Sequence, residues 1–205
     1  MQPKKLKLIA PNSYQEKLAD MFSKEVFNTN IEKYIERKQS DVKKIIADIY
    51  IGKMAEYAVW NYLQRDGKDA TFPDIAIYPA KKKSYDADIT CGDIKIHVKS
   101  CIAMGVYPIS WVFQPNDPVT INPSNKDFLS LVSIEDDNSF NAYFVKAVDV
   151  LEMYEKPKKE GLDKKVIYES TLLQWAYLRK CINNGIDLIK IISTLSSRKE
   201  IYSNY

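Results

Sequence analysis

Histidine is almost missing from this sequence: His97 is the single one in 205 residues. Cysteine is scarce as well, and Cys91, Cys101 and Cys181 are odd in number and scattered. A disulfide framework needs paired cysteines and a zinc site needs clustered Cys and His. Neither pattern is present, so reduced thiols in a cytosol are expected. No apolar run approaches the roughly 20 residues of a membrane span. Met1 to Lys7 lacks the apolar stretch of a signal peptide. Internal repeats and low-complexity segments are missing too. These absences point to a cytoplasmic protein without a membrane partner.

Charge of one sign is also in short supply. The net charge of +3 permits nucleic-acid binding without demanding it. The positive charge is local, in Lys81-Lys82-Lys83 and then in Lys156, Lys158, Lys159, Lys164 and Lys165. Hydrophobic residues at 45% and charged residues at 28% fit an ordinary globular chain, long enough for one buried domain. We read residues 1–205 as that domain, with N-terminal helices over 1–40, a core over 41–150 and a helical extension over 151–205.

Three helices are expected first. Ser13-Tyr14-Gln15-Glu16 has capping-box spacing, with Leu18, Met21 and Phe22 following at helical intervals. Asn30 is a good start for a second, short helix. From Asp41 to about Leu63 a stripe of Ile45, Ile49, Gly52, Val59 and Leu63 recurs at three- and four-residue steps. Glu56 falls within it. A carboxylate on a buried face needs compensation, which a divalent cation would supply; at the edge of the stripe it would reach solvent instead.

After Gly67 the pattern turns to β. Tyr85 to Cys101 reads as two strands joined by a Gly-containing turn, with Asp86 and Asp88 sharing one face of the first. Alternation in the second strand separates Ile94, Ile96 and Val98 from Lys95, His97 and Lys99. Further strands are expected at Ser110 to Gln114, Phe128 to Ile134 and Ala142 to Val148, mostly antiparallel. Pro115 to Lys126 and Glu155 to Lys165 read as loops, with Asp149 capping a short helix. Glu135-Asp136-Asp137-Asn138 is a turn without calcium-loop spacing. Helices close the chain over Ser170 to Cys181 and Ile186 to Leu195.

Hydrolysis of a phosphodiester by a metal nuclease needs acidic oxygens for a hard cation, a route to a water nucleophile, and positive charge at the phosphate. Asp88 is the candidate ligand, with Glu56 and Asp86 completing the acidic set. Lys99 would orient or deprotonate water and offset charge. Gln114 would hydrogen-bond the water or a phosphate.

The order helix-Glu56, strand-Asp88 and strand-x-x-Lys99, with Ser100 following, resembles the PD-(D/E)xK nuclease superfamily, the fold of many restriction endonucleases. The resemblance covers Asp41 to Val148, about half the chain by length. It implies an α/β fold with a restriction-endonuclease-like core: a central mixed β-sheet flanked by helices, here with extra C-terminal helices. It further implies a metal-dependent DNA endonuclease of type II restriction kind that leaves a 5′-phosphate by direct water attack. The implied cofactor is Mg2+ and the implied partner double-stranded DNA. The chain departs from the family at His97, which stands where Glu or Asp is usual.

His97 reads in three ways. Either the site has decayed; or His97 is an acid/base or phosphate contact while Glu56, Asp88 and Asp86 hold the metal; or the ion is Mn2+, which accepts imidazole more readily than Mg2+. Similarity to branches with HVK in place of ExK favours the second. A palindromic target would imply a homodimer, with Trp175, Leu188 and Ile192 as interface candidates, and the loops at 115–126 and 156–165 as DNA contacts. A non-catalytic nucleic-acid-binding protein and a junction or repair nuclease are the alternatives.

Overall fold

The structure is a computed structural model that describes residues 5–36, 39–79, 86–104, 107–114, 116–156 and 164–179. Helix α1 (Ser13–Thr29) starts one residue earlier in its capping than the sequence pattern suggests: the cap is Asn12. Its side chain accepts from the Gln15 amide at 3.0 Å, and the Gln15 side chain accepts from the Asn12 amide at 3.0 Å. Asn serves a cap as well as Ser does, and the box simply shifts by one position. Gln15 then does a second job. Its side-chain amide exchanges hydrogen bonds with Asn61, at 2.8 and 3.0 Å, joining α1 to the long helix that carries Asn61.

Helix α2 (Ile31–Glu36) is a short continuation, and α3 (Val42–Arg65) is capped by Asp41, whose side chain accepts from the Lys44 amide. Its most buried face runs through Met54, Ala55, Tyr57, Ala58, Val59, Tyr62 and Leu63. Ile49 and Gly52 are only half-buried, so the buried stripe is rotated from the predicted one and Glu56 sits at its edge. Residues 72 to 78 form no strand. They follow Ala70, which makes a single bridge to Cys91.

The main sheet has five strands in the order β1-β6-β5-β3-β2. These are β1 (Leu6–Lys7), β2 (Ile89–Cys91), β3 (Ile94–Ile102), β5 (Asp127–Ile134) and β6 (Phe140–Lys146). Gly92, at φ +57°, makes the tight turn between β2 and β3. Neighbours are antiparallel except at the centre, where β3 and β5 are parallel with His97 opposite Leu129 and Lys99 opposite Leu131. The mixed sheet flanked by helices is therefore an α/β arrangement.

Strand β4 (Ser110–Phe113) is not in this sheet. It pairs with β7 (Lys165–Tyr168) in a separate two-stranded sheet, so Gln114 does not end a strand beside β3. Parallel strands need a crossover, and β4 lies within the one that leads from β3 to β5. A 3-10 turn at Pro118–Thr120, capped by Asp117, belongs to the same crossover. A longer 3-10 helix covers Ala147–Met153; Asp149 lies inside its first turn rather than at its cap. Helix α4 (Glu169–Arg179) follows β7. The predicted helix over 186–195 lies outside the described residues.

Two cores result, one on each face of the main sheet. Val59, Leu63, Ile94, Ile96, Phe128, Val132 and Phe144 pack on the α1/α3 side. Trp111, Phe113, Leu129, Leu131, Val145, Ile167 and Leu172 pack on the other. Both faces of β5 are thus buried, which is why its apolar run is nearly continuous. Trp111 is fully buried and its indole N–H donates to the Val132 carbonyl at 2.8 Å, tying the small sheet to the large one. Trp111→Ala should lower unfolding free energy by about 3–5 kcal/mol in chemical denaturation, through lost packing and the lost indole hydrogen bond. Trp111→Phe should cost less.

Candidate functional site

Three of the predicted acids meet at one cavity of about 510 Å3 between α1, α2, α3 and the approach to β2: Glu56, Asp86 and Asp88 line it together with Asp74, Lys33 and Lys53. Phe22 and Val26 of α1, with Tyr34 and Tyr78, form its walls. Asp86 and Asp88 precede β2 rather than lying on it, because the strand begins at Ile89. Asp88 is nevertheless held against the sheet: one carboxylate oxygen accepts from the Val98 amide of β3 at 2.7 Å.

Lys53 is the residue that motif reading missed. It is buried, with a side chain 5% exposed, and its ammonium donates to Glu56 Oε2 at 2.5 Å and to the Asp74 carbonyl at 2.6 Å. The same ammonium lies 4.4 Å from the centre of the Phe22 ring. Its position three residues before Glu56 on a helix was the available signal, since such pairs share a face. Fully buried next to Glu56 in sequence, Tyr57 has its hydroxyl pKa pushed up to about 12, chiefly by burial and then by the Glu56 charge.

The other predicted residues are elsewhere. Alternation along β3 sends Ile94, Ile96 and Val98 into the α3-side core, so His97 and Lys99 face the opposite side of the sheet. Neither lines the acid cavity. Lys99 pairs with buried Asp117 at 3.1 Å and lies over Phe113, 5.5 Å from the ring centre. His97 Nε2 is 3.2 Å from Asp127 Oδ1. Gln114 is exposed beyond β4, with its carbonyl accepting from the Asp117 amide. Lys165, among the proposed DNA contacts, is in β7 and donates to Thr120; positions 157–163 lie outside the described residues. So do Leu188 and Ile192, whereas Trp175 packs at the margin of the second core.

Carboxylate oxygens from a helix and a strand approach are the donor chemistry that a hard divalent ion takes. The cavity fits such an ion in kind. Among the described residues, however, no three His, Cys, Asp or Glu side chains already converge as a ligand set. Lys53 holds part of Glu56, and Val98 holds part of Asp88.

On the opposite face, Asp127 is held below the ordinary carboxylate range. Burial pushes its pKa up, but hydrogen bonds from the Ser124 hydroxyl and amide, and then His97, outweigh it. A depressed carboxylate pKa stabilises the fold above the unfolded-state value and loses that contribution as pH falls through the folded-state value. Wild type should therefore exceed Asp127→Asn in stability near neutrality, with the gap closing below the ordinary carboxylate range, about pH 4, in denaturation series at several pH values.

No family model and no curated protein matches the chain.

Proposed function

We propose that the chain is a metal-dependent DNA endonuclease acting in the cytoplasm and hydrolysing phosphodiester bonds by water attack. The observation that carries the reading is the shared cavity of Glu56, Asp86 and Asp88, which joins a helix acid to two acids at the edge of a hairpin. These three would hold Mg2+, or Mn2+. When bound, such an ion supplies positive charge against the charge that develops on the phosphate oxygens. Val98 fixes where Asp88 stands, through the hydrogen bond from its amide. Lys99 and His97 flank that amide on β3 but face the other side of the sheet, where Asp117 and Asp127 hold them, so they would position β3 and with it Asp88 rather than touch the attacking water. Gln114 would contact a phosphate from beyond β4. Double-stranded DNA is the substrate in this reading, cut at a specific sequence as restriction enzymes do, and a palindromic target would call for a homodimer.

The two β3 pairings favour a second reading. A lysine and a histidine already satisfied by Asp117 and Asp127 suit a nucleic-acid-binding protein on the same restriction-endonuclease-like scaffold that no longer cuts.

Purified protein incubated with duplex DNA and Mg2+ or Mn2+ separates the two. Cleavage is expected, with Glu56→Ala and Asp88→Ala each losing on the order of a hundredfold or more in rate, as removal of charge-stabilising groups does. Binding without cleavage would leave the second reading, and cutting by both variants at the wild-type rate would move the site. Discrete fragments from linear duplex would indicate sequence specificity. Preferential cutting of branched junctions would indicate a structure-specific enzyme.

A further inference from the structure

The acid cavity already contains a cation of its own. Its lining carries the acids Glu56, Asp74, Asp86 and Asp88 against the lysines 33 and 53. Of these two lysines, Lys53 is the one drawn inside, and a buried ammonium persists only where oxygens replace its water. It finds two, Glu56 Oε2 at 2.5 Å and the Asp74 carbonyl at 2.6 Å, plus the face of Phe22. The Glu56 oxygen it holds belongs to the only helix-borne acid among those four. A divalent ion drawn to the same carboxylate must share that oxygen with Lys53 or remove it.

We infer that Lys53 is a tethered competitor for the cation site, so that a divalent ion enters by exchange and moves the ammonium off Glu56. The inference rests on the reading of this cavity as a metal site. The Asp74 carbonyl and the Phe22 ring are independent of Glu56, so the displaced ammonium keeps an anchor at the cavity wall. From there it meets an anionic oxygen of the substrate, of phosphodiester class. Lys53 thus offsets the Glu56 charge in the metal-free protein and supplies positive charge to the substrate in the loaded one.

Two measurements on the full chain test this, with Mn2+ as the probe at about pH 8, where carboxylates are ionised. Free-ion titration by electron spin resonance should give a dissociation constant about tenfold lower, or lower still, for Lys53→Met than for wild type, the factor expected when one charge-assisted hydrogen bond stops competing. An equal or weaker affinity would overturn the inference, since a lysine that merely props up Glu56 would weaken the site when lost. The second measurement needs no substitution. Acylation of Lys53 in wild type, read by mass spectrometry, should accelerate severalfold on saturation with Mn2+, while exposed Lys44 stays constant. If Mn2+ binds saturably, and binding is lost in Asp88→Asn, yet Lys53 acylation does not change, the metal site stands and the exchange is refuted. If neither wild type nor Lys53→Met binds Mn2+ saturably, the metal reading itself falls.

Discussion

Parallel pairing of β3 with β5 cannot be made through a hairpin, so the chain leaves the sheet after Ile102 and returns at Asp127. Much else depends on that excursion. It carries β4 and the Asp117-capped turn over the second face of the sheet, where β7 and α4 complete a layer. The first face is left to α1 and α3. With both faces of β5 covered, the sheet becomes a partition, and every side chain of β3 must belong to one side or the other.

The partition divides the polar residues that the chain holds near the sheet. On the α3 side the acids gather around Lys53, and on the β4 side His97 and Lys99 meet Asp127 and Asp117. Asp88 and Val98 connect the two, because an acid lining the first cavity is bonded to the backbone of the strand that carries the second group. Opposite charges have been sorted into local pairs on each side. Such pairing satisfies groups that burial would otherwise penalise, and it makes each pair a barrier that any ligand must open.

Much of the architecture was legible in the sequence because it rests on local pattern. The Gly92 hairpin, the alternation in β3, the apolar run of β5 and the long helix α3 all follow from periodicity and turn chemistry. The sheet membership of β4 did not, since a five-residue β pattern carries no information about its partner, and β7 is a four-residue strand abutting a helix. The two-residue β1 is too short to have any period. Of the candidate site residues, the structure brings Glu56, Asp86 and Asp88 to one cavity, a proximity that their separation along the chain does not reveal. The pairing of Lys99 and His97 was not readable, because Asp117 lies in the crossover and Asp127 begins the strand to which it returns, and both positions depend on the parallel ladder. Lys53 escaped notice because a lysine beside a helix acid usually faces water.

The bond from the Val98 amide to Asp88 also bears on how this chain behaves in company. Strand β2 covers β3 only from Ile94 to Ile96, so the ladder stops partway along a nine-residue strand. An uncovered strand edge is a template on which another chain can add. Just past the end of the ladder, the amide of Val98 is already occupied by a carboxylate. A second strand arriving there would have to displace an anion and bring its own carbonyl close to the remaining charge. An anion at that amide disfavours edge-to-edge association there, and replacing Asp88 would remove that obstacle.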